Sequence, residues 1–212
     1  MEGLIKVRGI VLSERPVGEY DRLVTILTVE SGKIRAFARG AKRPRNHLSA
    51  ALQPFHYGTF SLYAGRDSYN VQDAEISNYF EGVRSDLDNT MTGMFFLELA
   101  DYYGRENDDN SALAALLYQS LRALENGKPD RRLVRAIYEI RALVIDGQYP
   151  GIPEGNWQTS TTYAMEMIAS SAIEKLYTFE VNEQVLNELL GIAQVFRKRF
   201  IDRELKSLKY CE

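Results

Sequence analysis

The spacing of apolar residues changes once along this chain, near Phe80, and that change limits what each side can build. Ahead of it, runs rich in Val, Ile, Thr, Tyr and Phe lie between turn residues, which is the pattern of short strands. The runs are Ile5–Arg15, Tyr20–Glu30, Lys33–Arg39, Pro54–Tyr63 and Ser68–Ser77. Pro16-Val17-Gly18, Ser31-Gly32 and Ala64-Gly65-Arg66-Asp67 punctuate them, and only the connection 40–53 is long. Five antiparallel strands with one long connection after the third suit a small closed barrel of the OB type. An SH3-like barrel has similar statistics, and the pattern alone does not separate the two.

Beyond Phe80 apolar residues recur at spacings of three and four, as on amphipathic helices. Met91, Met94, Phe95, Leu99 and Tyr102 mark one helix. Leu113, Leu116, Leu117, Leu121 and Leu124 mark a second, with Ser111 as its expected cap and Asn126-Gly127 as its end. Asp130 is expected to cap a third, which carries Leu133, Val134, Ile137, Ile140 and Val144 and stops before Gly147. Residues 147–155 read as a loop, after which 162–177 and 182–209 return to helical spacing. The fold class is therefore α+β: a five-stranded barrel over residues 1–80, then an all-α domain over residues 81–212.

Composition excludes several classes of protein. With 45% hydrophobic and 26% charged residues the chain is neither disordered nor fibrous. Its single cysteine, Cys211, excludes an intrachain disulfide and a cysteine-built zinc site. No stretch approaches the ~20 apolar residues that cross a bilayer, and charges interrupt the start MEGLIKVRGIVLSER, so a cytoplasmic protein is expected. A net charge of −3 argues against nucleic acid only until the charges are located. Residues 1–80 hold eleven Lys and Arg against eight Asp and Glu, so the basic excess lies in the barrel.

Little in the sequence supports catalysis. His47 and His56 lie in no catalytic or metal-binding pattern, and Arg39-Gly40-Ala41-Lys42-Arg43 lacks the spacing of a phosphate-binding loop. Asp108-Asp109 reads as part of a solvated loop. The chain is expected to be no enzyme and to need no cofactor or metal.

The third strand is more informative, because side chains alternate across a strand with period two. Ile34, Ala36 and Ala38 then share one face, and Lys33, Arg35, Phe37 and Arg39 share the other. Cations neutralise phosphates and an aromatic ring offers a base a stacking surface, so this face has the chemistry of a single-strand site. Lys42, Arg43 and Arg45 extend the charge, with no acidic residue between Ser31 and Ala51. A second basic cluster, Arg131, Arg132, Arg135 and Arg141, falls on the third helix, where Arg131 and Arg135 share a face. With Leu133 and Ile137 nearby, such a face could receive an acidic peptide with an apolar end.

The run Val7-Arg8-Gly9-Ile10-Val11-Leu12, followed by Gly18-Glu19-Tyr20-Asp21-Arg22-Leu23-Val24-Thr25, Gly32-Lys33 and Ala38-Arg39-Gly40-Ala41-Lys42-Arg43, resembles the N-terminus of the RecO recombination-mediator family. Leu52-Gln53-Pro54-Phe55, Gly58 and Asp73-Ala74-Glu75 follow in the same order. The resemblance implies an OB barrel, a helical domain and a non-enzymatic role in recombinational repair. It also implies binding of single- and double-stranded DNA, annealing of complementary strands, and RecA loading on DNA coated by single-stranded-DNA-binding protein. The implied partners are RecR and the acidic tail of that coating protein, and the implied location is the nucleoid. DNA is assigned to Lys33, Arg35, Phe37, Arg39, Lys42, Arg43 and Arg45, and the tail to Arg131, Arg132, Arg135 and Ile137. Many family members carry four zinc-binding cysteines after the segment equivalent to residues 147–153. Here Glu154-Gly155-Asn156-Trp157-Gln158-Thr159-Ser160 has none. The rival reading is an adaptor whose barrel binds protein; a nuclease comes third for want of clustered carboxylates or histidines.

Overall fold

The computed structural model describes residues 3–65 and 68–211. Five strands, β1 (Gly3–Val17), β2 (Asp21–Thr28), β3 (Lys33–Ala38), β4 (Tyr57–Ala64) and β5 (Tyr69–Asn78), form a closed barrel in the order β1-β2-β3-β5-β4. A short helix, α1 (His47–Ala51), lies between β3 and β4. This is the OB topology. The long first strand closes the barrel, because Gly3–Ile10 pair with β4 and Gly9–Val17 pair with β2.

At the changeover Gly9 faces Thr28 on one side and Gly58 on the other. A Cβ at Gly9 would lie 2.4 Å from the Leu27 carbonyl oxygen, and one at Gly58 would lie 2.2 Å from that of Glu75. Both positions therefore require glycine for close backbone approach. Inside the barrel, alternate positions bury Val7, Val11, Val24, Ile26, Phe60 and Leu62, joined by Leu48 of α1 and by Leu52. Each such side chain stabilises the fold by about 1.5–3 kcal/mol relative to exposure. Helix α1 lies within the connection expected to be a loop; five residues are too few to show a helical period, and Asn46 caps it by accepting from the Leu48 N–H.

The remaining helices are α2 (Glu81–Arg84), α3 (Leu87–Tyr103), α4 (Ser111–Asn126), α5 (Arg131–Ile145), α6 (Thr159–Ser170) and α7 (Glu183–Phe200). Ser111 is the first residue of α4 and not its cap; the Asp109 carboxylate accepts from the Ser111 N–H at 2.8 Å. Asp130 does cap α5, accepting from the Arg132 N–H. Helix α6 stops well short of Tyr177. There Arg141 of α5 donates to the carbonyls of Ile168 (3.0 Å) and Ala169, which satisfies backbone groups that a longer helix would have bonded itself. Helix α7 likewise ends at Phe200, with Ile201 in extended conformation. Among the described residues no helix is long and apolar enough to cross a membrane.

The chain divides into two compact units, Met1–Phe80 with Ala100–Ala114, and Glu81–Leu99 with Ala115–Glu212. In the first, the loop after α3 joins the β2–β3 hairpin: Gly32 bridges Glu106, and the Lys33 N–H donates to the Arg105 carbonyl at 2.8 Å. In the second, α5 packs against both α6 and α7 and buries Leu133, Val134, Ile137, Tyr138, Ile140 and Leu143.

Candidate nucleic-acid interface

Strand β3 alternates as its sequence requires, with Ile34, Ala36 and Ala38 buried and Lys33, Arg35 and Phe37 on the outer side. The outer residues have different surroundings. Lys33 is turned away from solvent: its ammonium donates to the Asp101 carbonyl at 2.6 Å and meets the Asp101 carboxylate at 3.2 Å, with 11% of the side chain exposed. Arg35 stays exposed, 3.8 Å from Glu106. The acidic residues missing from the sequence between Ser31 and Ala51 are thus supplied to the start of β3 by Asp101 in the last turn of α3 and by Glu106 in the segment that follows it. Phe37 is half-buried, opposite Leu23 on β2 and Asn70 on β5.

Farther along, the basic residues face outward. Arg39 is exposed and donates from Nε to the Asn70 side chain at 3.0 Å. Lys42, Arg43 and Arg45 are exposed on a loop with defined geometry. Its backbone is held by Gly40 N–H to Asp21 carboxylate (2.7 Å), Lys42 N–H to Tyr20 carbonyl (2.8 Å) and Asn46 amide to Gly40 carbonyl (2.9 Å). Gly40 and Arg45 both adopt positive φ, 67° and 66°, and so turn the loop back toward α1. The Arg43 guanidinium sits over the Tyr20 ring, 5.0 Å from its centre. A hydrogen bond with Glu19 raises the Tyr20 phenol above its ordinary pKa, desolvation adds to the effect, and Arg43 opposes it. The ring thus stays neutral beneath the cation. Among the described residues no carboxylate pairs with Arg39, Lys42, Arg43 or Arg45.

Beside this loop lies an open groove of about 440 Å3 lined by Arg39, Asn46, His47, Tyr63, Asn70 and Gln72. His47 Nε2 meets the Asp73 carboxylate there at 3.2 Å. Tyr63, Asn70 and Gln72 were missed by the sequence reading. Alternation places Tyr63 on the outside of β4, but the stagger that brings it level with Phe37 belongs to the barrel and is not written in either strand alone.

The α5 cluster looks different. Arg131 pairs with Asp88 at 3.0 Å, and Arg132 pairs with Asp130 at 2.7 Å and with Glu183 at 2.8 Å. Arg132 is the main cause holding the Asp130 and Glu183 carboxyls below their ordinary pKa. Arg135 has 12% of its side chain exposed, lies 3.4 Å from the buried Glu139 carboxylate, and donates to the Cys211 carbonyl. Arg197 donates to the other Glu139 oxygen at 2.5 Å. Ile137 is fully buried, as are Leu133 and Val134, so the apolar surface expected beside these arginines is core. The reason is that α5 has helices on more than one side, so its apolar stripe is covered within the unit.

In the segment where related proteins were expected to carry cysteines, the Trp157 indole donates to the Pro153 carbonyl at 2.7 Å, and its ring covers Gly155. The Glu188 carboxylate accepts from the Gln158 N–H at 3.2 Å and the Thr161 hydroxyl at 2.5 Å. Among the described residues no three His, Cys, Asp or Glu side chains converge.

Residues 1–80 match the family model described as Recombination protein O N terminal, and residues 84–152 match Recombination protein O C terminal. The DNA repair protein RecO of Acetivibrio thermocellus is 29% identical, over 98% of this chain and 96% of that protein. The DNA repair protein RecO of Desulforamulus reducens is 30% identical, over 99% of this chain and 94% of that protein. That of Bacillus subtilis is 37% identical over 69% of this chain, a match spanning 57% of the relative. Two consecutive family models over residues 1–80 and 84–152, and relatives aligned along nearly the whole chain, show that this chain belongs to the RecO family.

Proposed function

We propose that this chain is a non-enzymatic recombination mediator whose barrel holds DNA by its phosphates. A role in DNA repair follows from the family; the mode of action rests on one observation. Arg39, Lys42, Arg43 and Arg45 stand exposed at one end of β3, with no carboxylate paired to them among the described residues. Cations so placed can displace the counterions of a phosphate chain, which drives sequence-independent binding to single- and double-stranded DNA. Holding two strands on one cationic surface lowers their mutual repulsion and lets complementary sequences anneal. Loading of RecA onto DNA coated by single-stranded-DNA-binding protein, binding of RecR and residence at the nucleoid complete the reading by analogy with the family. For the acidic tail of the coating protein, Arg131 and Arg132 are the exposed cations of α5 on offer, each exchanging an intramolecular carboxylate for the tail's.

The test is annealing of complementary oligonucleotides, with and without the coating protein, across a salt series. Acceleration is expected, with log affinity for a single strand falling by about 0.7 per phosphate neutralised for each tenfold rise in salt, and so a slope near −3 for four contacts. A chain that neither anneals nor binds DNA in a salt-dependent way would be an adaptor for protein partners instead.

A further inference from the structure

The strand pairings place six residues in one row around the outside of the barrel: Arg15 opposite Leu23, Leu23 opposite Phe37, Phe37 opposite Asn70, Asn70 opposite Tyr63, and Tyr63 opposite Leu4. Paired residues share a face of the sheet, so the row is continuous. It contains two aromatic rings on strands separated only by β5. Tyr63 is 44% exposed and Leu4 is 63% exposed, an unusual apolar display on the outer wall of a small barrel. Asn70, which stands between the two rings in the row, accepts from Arg39 Nε at 3.0 Å. Tyr63, Asn70 and Arg39 also line the same open groove.

We propose that Tyr63 is a second base-stacking platform which, with Phe37, makes the barrel selective for single-stranded over duplex DNA. The proposal rests on the DNA-binding reading and adds to it a selectivity that phosphate contacts cannot supply. Two strand spacings put the rings about 10 Å apart, since neighbouring strands lie ~4.8 Å from one another. Successive bases of a duplex rise by only ~3.4 Å and keep their faces covered by their neighbours. One strand of a duplex therefore cannot offer a free base face to each ring. A single strand can, by splaying bases apart and laying one on each aromatic side chain. Arg39, held by Asn70, is placed for the phosphate that links such bases. The basic loop beyond it continues the backbone path with Lys42 and Arg43. The two rings of the row are thus matched to the bases and the cations to the backbone, which a purely protein-binding face would not require.

The experiment measures binding of the full chain to a fluorescein-labelled oligothymidylate and to a labelled hairpin duplex at fixed salt, by anisotropy. Tyr63→Ile keeps a strand-favouring side chain and removes the π face, so folding survives and is checked by a thermal melt. Its affinity for oligothymidylate should fall about tenfold, while hairpin affinity stays within about twofold and the salt slope is unchanged. Tyr63→Phe should restore binding to within about twofold of the parent. Phe37→Ile should resemble Tyr63→Ile, and because the sites lie far apart the double variant should lose about a hundredfold. Oligothymidylate binding by Tyr63→Ile equal to the parent's overturns the proposal and leaves the cationic reading standing. Equal losses on oligothymidylate and hairpin overturn the selectivity. A parent chain that binds neither probe in a salt-dependent way overturns the DNA-binding reading itself, and this inference with it.

Discussion

The segment from β3 into its following loop and the first turns of α5 are both rich in cations, yet they sit in opposite electrostatic company. Along β3 the partners are supplied only at the beginning, where Asp101 takes Lys33 and Glu106 approaches Arg35. On α5 every cation from Arg131 to Arg135 meets a carboxylate, and the partners come from Asp88, Asp130, Glu139 and Glu183. A run of basic residues is therefore weak evidence of an anion site until its tertiary partners are known. The cations that remain available lie at Arg39 and beyond, on a loop whose backbone is already ordered.

The comparison would be broken most decisively at Glu139. Its carboxylate, 5% exposed, lies between Arg135 and Arg197. Breaking a buried pair by removing one partner leaves uncompensated charge, so Glu139→Ala should destabilise the helical unit by about 3–5 kcal/mol. Arg135→Glu should do comparable damage, since it sets two carboxylates against each other. Chemical denaturation of both variants checks this. If Arg135→Glu were as stable as the parent, α5 would be the open cationic face its sequence resembles, and the contrast with the barrel would fail. A loss of tail binding by this variant is thus expected to come from unfolding as much as from lost attraction.

The barrel side makes the complementary prediction. Reversing Arg39, Lys42 and Arg43 together to Glu should weaken binding to single-stranded DNA by at least about a hundredfold, or ~2.7 kcal/mol. Stability should change by no more than about 1 kcal/mol, because exposed charges without carboxylate partners contribute little to folding. Denaturation and a binding titration of the same preparation measure both. Unchanged affinity in a folded variant would remove the loop from the interface.

The same contrast shows how far the sequence could be read. The five strands, the change to helices after Phe80, the Asp130 cap and the two faces of β3 were all legible, because alternation, capping and turn chemistry are local. Lys33 could not be assigned from its neighbours, since its partner Asp101 lies 68 residues away. Ile137 shows the same limit on a helix: period 3.6 marks it as apolar, but whether the stripe meets solvent or another helix depends on α6 and α7. Tyr63 was missed for a related reason. A strand's own period says which side a residue occupies, whereas its level in the barrel is set by register with β1 and β5. Gly9 and Gly58 were visible as part of a family pattern, but the need for glycine at both became physical only once the backbone carbonyls behind them were located.

The smallest expected effect concerns Arg132, where the two regions differ in response to pH. Arg132 bonds Asp130 and Glu183 at once, and those bonds are the main reason both carboxyls titrate below their ordinary values. A carboxyl whose folded pKa is depressed contributes stability that is present above its unfolded pKa and lost as pH falls through the folded one. The Arg132 contacts should therefore loosen only in acid, below the ordinary carboxylate range, and leave neutral pH untouched. Replacing Arg132 by Met should raise both carboxyl pKa values toward ordinary ones, which side-chain carbon chemical shifts followed through a pH titration will read. Global stability at neutral pH should move little, because all three groups lie at the surface. The available barrel cations have no such carboxylate partner among the described residues, so their exposure is not tied to the protonation of a partner carboxyl. If the Arg132→Met shifts are absent, the bridge from Asp130 to Glu183 does not persist in solution, and α5 would present a free cation beside Arg131 much as the barrel loop does.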